Sequence, residues 1–159
     1  MTTIQTTLNQ QPIQLTKSGD YRVEIAQEGS EVSIFGFFHG KKSDDININL
    51  TIVHRAPHTR ANTVLKGVAE DDSRIRFFGR IIIEEHCGDT QSFLEERILL
   101  LSDSAKAEAV PELEIKTDDV KCSHAASISS IPAEHLFYLE SRGIPKKVAE
   151  KMIVDGFLV

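Results

Sequence analysis

Turn residues punctuate this chain at nearly equal intervals. Turn signals centre near Gly29, Ser43, Pro57, Asp71, Gly88, Asp103 and Asp118, leaving gaps of 14, 14, 14, 17, 15 and 15 residues. Between them, apolar and polar residues alternate. Ile46, Ile48, Leu50 and Ile52 alternate with Asn47, Asn49 and Thr51, and Tyr21, Val23 and Ile25 with Arg22 and Glu24. Period two is the mark of a strand with one face buried. A β-sandwich turns about every 8–12 residues. Longer, regular gaps fit stacked coils, whose corners recur at a fixed interval. A jelly roll stays open as the alternative. No repeat is visible at the level of individual residues.

Two details lean towards stacking. Asn is depleted in ordinary strands, yet Asn47 and Asn49 share one face of the clearest strand, where stacked coils can bond Asn side chains from layer to layer. Ala105, Ala107 and Ala109 are small residues at period two, suited to tight packing between layers. The pattern changes after Ser129. Pro132 suits a first helical turn, Leu136 and Leu139 with Phe137-Tyr138 give a helical stripe, and Gly143 suits a helix end. Pro145 opens a second helix, with Val148, Met152 and Phe157 on roughly one face. The short link makes a helical hairpin, whose apolar side either covers an open end of the β body or meets a partner.

Composition narrows the function classes. The 159 residues carry a formal net charge of −6, with no basic stripe of the kind that binds nucleic acid. The longest aliphatic run, Ile98 to Leu101, is far too short to span a bilayer. The first residues lack the pattern of a signal peptide, and two cysteines make no disulfide framework. The expectation is a cytoplasmic chain with reduced thiols and no membrane or nucleic-acid partner.

The most chemically loaded spacing is Cys122-Ser123-His124. In a strand, Cys122 and His124 point to the same side, where a thiolate and an imidazole can share a soft metal or a transferable sulfur. The competing reading is a buried Cys beside a hydrogen-bonded His. His54 and His58 are spaced for one helix face, but Pro57 argues against a helix there. His86-Cys87 resembles half a metal site without local partners, and Cys87 also reads as a small residue tucked under a corner.

The segment Leu99–Ile115, followed by Asp118-Asp-Val-Lys-Cys-Ser-His124, resembles the SufB/SufD family of iron–sulfur cluster assembly proteins, on its SufD side. Leu136-Phe-Tyr-Leu139 through Ser141-Arg-Gly-Ile144 resembles that family's C-terminal helical segment. The specific match runs over residues 64–157. The resemblance implies a mainly β fold, a right-handed parallel β-helix (β-solenoid) over residues 1–129 with a C-terminal α-helical hairpin over 130–159. It implies a non-catalytic scaffold of SUF-type assembly. Its partners would be a SufC-type ATPase and either a SufB/SufD-type homologue or a second copy of itself. Cys122 and His124 would be iron–sulfur or sulfur ligands at the interface, holding a transient iron–sulfur cluster or iron. Leu136, Phe137, Leu139, Val148, Met152 and Phe157 would lie on the ATPase-docking helices. The chain departs from the family in being shorter than usual members, in having Glu96 near the position where SufB carries a functional cysteine, and in having Ala125 where a Gly typically follows the Cys-Ser-His. Two alternatives accompany this reading. One is a structural partner that docks the ATPase and binds no cluster. The other is a small metal-dependent β-barrel enzyme using His54, His58 and His86, whose ligand spacing the chain does not reproduce.

Overall fold

The computed structural model describes residues 1–6, 8 and 11–158. Strands β1 (Thr2–Gln5), β3 (Gly19–Ile25), β5 (Asp45–His54), β7 (Arg74–Ile83) and β9 (Lys106–Ile115) form one sheet in that order. The second sheet runs β10 (Val120–Ser130), β8 (Thr90–Leu100), β6 (Arg60–Ala69), β4 (Glu31–Gly40), β2 (Ile13–Leu15). Every pairing is parallel. Consecutive strands lie in opposite sheets, so one coil uses two strands and two corners. Asp45 pairs with Arg74 and Arg60 with Gln91, which sets the coil near 30 residues. The intervals read from the turn residues are therefore half-coils of a parallel β-solenoid.

Period two sorts each strand into a lumen face and an outer face. Ile48, Leu50 and Ile52 of β5, Leu65 of β6, Ile75, Phe77, Ile81 and Ile83 of β7, and Leu94 and Ile98 of β8 fill the lumen and are buried. Each such side chain contributes about 1.5–3 kcal/mol. Residues of like character stack because the register repeats coil after coil. Asn47 and Asn49 do tie coils together, but through charged neighbours rather than an Asn ladder. Asn49 Nδ2 donates to Asp20 Oδ1 at 2.6 Å, and Arg76 Nε donates to Asn47 Oδ1 at 2.6 Å.

The corners are built from left-handed residues. Gly29, His58, Asp89 and Asp119 have φ of 74, 56, 51 and 58°. Asp and His tolerate that region better than most side chains. The corner amides bond onward to the next coil: Gly29 N to Pro57 O, His58 N to Gly88 O, Asp89 N to Asp119 O.

The chain ends in α1 (Ala133–Ser141) and α2 (Lys146–Leu158). Pro132 is the residue before the helix rather than part of its first turn. Gly143, at φ 82°, closes α1: its N–H donates to Glu140 O while Ile144 N–H donates to Leu139 O. Val154, Phe157 and Leu158 pack with Val68 of β6 and Leu99 of β8 on the outer face of the second sheet. Phe157 therefore differs from the shared helix face expected of it. It turns towards the β body, while Val148 and Met152 stay exposed. The body-facing stripe is instead Ala149 and Val154, the two buried residues of α2.

The hairpin lies beside the solenoid and leaves its last coil open. β9 and β10 are the outermost strands of their sheets. Leu113, Ile115 and Ile128 sit in register with buried Ile81, Ile83 and Ile98 and face the same way. Yet they are 39%, 44% and 45% exposed, because no further coil covers them.

Candidate functional site at the open end

Cys122 and His124 lie on β10, the terminal strand of the second sheet. Cys122 pairs with Ser92, His124 with Leu94, and Ala126 with Glu96. All three β8 partners are buried. Residues in parallel register share a face, so Cys122 and His124 both point to the lumen side, ~7 Å apart along the strand. Cys122 is half-buried and packs against the core, whereas His124 is exposed. Burial pushes the Cys122 thiol up, which keeps it protonated until a metal or a positive group draws the proton off. The same-side geometry expected from the spacing is present, and the pair opens onto an end that none of the described residues covers.

Beneath this pair lies a group that the sequence reading noted only for lacking a thiol and did not assign to the site. Glu96 is fully buried, and neither carboxyl oxygen has a hydrogen-bond partner among the described residues. Desolvation pushes its carboxyl up to about 7. A signal was present, because alternation from Leu94 to Ile98 places Glu96 on the apolar face. Thr63 Oγ1, on β6, is likewise buried without a partner among those residues.

The histidines of the β-barrel alternative are scattered. His54 faces the lumen, fully buried, with Nδ1 2.8 Å from Thr59 Oγ1 and Nε2 3.0 Å from Ser92 Oγ. Desolvation lowers it to about 4, so it is a neutral internal strut. His58 lies at an outer corner, 2.9 Å from Asp89 Oδ2, which raises it. His86 occupies a left-handed position, at φ 63°. Cys87 is buried, its Sγ 3.5 Å from His54 O, as a corner residue would be. Among the described residues, no three His, Cys, Asp or Glu side chains gather as a metal centre.

The helical residues divide into two groups. Leu136 and Leu139 are half-buried, and Leu136 lines a cleft of about 450 Å³ with Leu101, Ile131 and Glu150. Phe137, Tyr138, Val148 and Met152 are exposed at 74%, 58%, 49% and 49%. Among the described residues no helix is long and apolar enough to cross a membrane.

The structure is a parallel β-solenoid with a side-mounted helical hairpin and a Cys122–His124 pair on its open coil. Comparison with known proteins gives the family. Residues 13–157 match the model described as "SUF system FeS cluster assembly, SufBD core domain". The iron–sulfur cluster assembly protein SufD of Bacillus subtilis is 35% identical over 119 residues, which is 75% of this chain and 27% of that protein. SufD of Escherichia coli is 32% identical over 134 residues, 84% of this chain and 32% of that protein. A SufBD family protein of Mycobacterium tuberculosis is 30% identical over 143 residues, 85% of this chain and 36% of that protein. The chain belongs to the SufBD core family of iron–sulfur cluster assembly, and it spans about a third of the length of these relatives.

Proposed function

We propose that the chain is a non-catalytic scaffold of SUF-type iron–sulfur cluster assembly in the cytoplasm. It pairs through its open solenoid end with a SufB/SufD-type homologue or a second copy, and it docks a SufC-type ATPase through α1 and α2. Iron and sulfide are the cargo, and Cys122 and His124 meet them at the paired end. The observation that carries this reading is the last coil. Its lumen-facing Leu113, Ile115 and Ile128 are uncovered, and its two soft or borderline donors lie on the same surface. A thiolate and an imidazole suit iron–sulfur chemistry but cannot complete a cluster's coordination. A second chain closing the open coil would supply the remaining ligands and bury the apolar row. Exposed Phe137 and Met152 support the hairpin as the ATPase contact.

Anaerobic reconstitution with iron and sulfide tests the cargo. The wild type, alone or with a SufB-type homologue, should develop charge-transfer absorbance that Cys122→Ala and His124→Ala lower. Equal spectra in all three would leave a docking partner that binds no cluster. Pull-down with a SufC-type ATPase tests docking. Phe137→Asp and Met152→Asp should lose it, and retention in both would remove the hairpin from that role.

A further inference from the structure

Glu96 is the lumen group that the Cys122–His124 pair does not account for. Leu65 of β6 lies beside it in register on one side and Ala126 of β10 on the other. Gly79 of β7 lies across the lumen: a Cβ added there would sit 2.6 Å from Glu96 Oε1 and would collide with Leu94 Cδ2. The carboxyl thus shares the space over Gly79 with the side chain of Leu94, the next lumen row. That row carries Thr63 on the inner side and His124 on the open side. Among the described residues, the titratable side chain nearest to Glu96 in register on the open strand is His124, with Cys122 one row further. An ionised carboxylate in a dry lumen is strongly disfavoured without a counter-charge, and a cation bound to its oxygens supplies one.

Strand spacing and rise place the Cα atoms of Glu96 and His124 ~8 Å apart on one face. A two-methylene carboxylate and an imidazole can meet over that distance. Cys122 lies further along, beside Ser92, so it cannot share one ion easily with Glu96.

We propose that Glu96 and His124 are the protein ligands of an inner divalent-metal position, reached through the open end and separate from Cys122. Carboxylate, imidazole and water suit Fe(II) or Mn(II), whereas the thiol suits sulfur. Glu96 on β8 then supplies a hard donor below the terminal strand, and His124 and Cys122 supply a borderline and a soft donor on that strand. Two protein ligands leave the remaining positions open, so the metal is held loosely enough to be handed on. This inference rests on the proposed function, in which the open end handles iron and sulfide, and it adds the residue that receives the metal.

The test is titration of the full chain with Mn(II), read by electron paramagnetic resonance. The wild type should bind one ion. Glu96→Gln and His124→Ala should each weaken binding by about tenfold or more, while Cys122→Ala leaves it unchanged. Circular dichroism and thermal unfolding establish that Glu96→Gln is folded, and Glu96→Asp should retain part of the affinity. Wild-type binding by Glu96→Gln, or no uptake by the wild type, would overturn the inner position. Iron–sulfide reconstitution of Cys122→Ala separates the two claims. A reconstitution defect with unchanged Mn(II) binding in Glu96→Gln leaves the proposed function standing and removes the inner metal. Unimpaired reconstitution with lost Mn(II) binding does the reverse.

Discussion

His54 and Glu96 share one lumen and titrate with opposite signs. The folded state holds His54 neutral to about pH 4, while the unfolded chain takes up its proton near 6.5. Its stabilising contribution is whole above pH 6.5 and falls away as pH drops towards 4, by about 3 kcal/mol. Glu96 titrates near 7 when folded and near 4.5 when unfolded. The unfolded chain ionises first, so Glu96 destabilises increasingly from pH 4.5 to 7 and by a constant amount above, again about 3 kcal/mol. Glu96→Gln should therefore leave thermal stability unchanged near pH 4.5 and raise it by several degrees at pH 8. A variant no more stable than wild type at pH 8 would mean that the carboxylate has found a partner. His54→Ala removes the bonds to Thr59 and Ser92 and should cost about 2–4 kcal/mol at pH 7, seen in urea unfolding. Both lumen positions follow from period-two alternation, so their burial was legible in the sequence. That His54 is satisfied and Glu96 is not was illegible, because the deciding neighbours, Ser92 and Gly79, stand 38 and 17 residues away.

At the scale of elements, the strands and the hairpin were readable for different reasons. Strands were marked by alternation, and their half-coil length by the turn residues. The helix end at Gly143 was marked by glycine's tolerance of positive φ. Gly143→Ala, at φ 82°, should lower stability by about 1 kcal/mol without altering the fold, measurable as a small fall in melting temperature. The face of α2 that packs on the β body was left open by the sequence, because a short helix with apolar residues around its circumference offers several stripes. Val148, Met152 and Phe157 made one, but packing on Val68 and Leu99 selects Ala149 and Val154, with Phe157 beside them. Ala149→Asp should detach α2 and cost several kcal/mol through an unpaired buried charge, whereas Val148→Asp should be nearly silent. Differential scanning calorimetry of the two variants distinguishes these faces.

For the whole molecule, a solenoid is a stack of nearest-neighbour interfaces, and its stability grows with each coil that is covered. An uncovered coil exposes unpaired strand edges, which other proteins shield with charges, bulges or caps. Here the end at β9 and β10 keeps apolar Leu113, Ile115 and Ile128 uncovered, and the helices pack elsewhere. Regular punctuation made the stacked architecture legible, and the segment around Cys122 carried the family. Which end stays open was illegible, since it depends on where the hairpin docks. The account turns on that end being an interface. Sedimentation velocity of the chain, alone and mixed with a SufB-type homologue, measures it directly, with Ile115→Lys and Ile128→Lys at the open coil and Phe93→Lys on the outer face as the control. The account predicts association for wild type and Phe93→Lys and its loss in both open-coil variants. Association that survives both open-coil changes would contradict it.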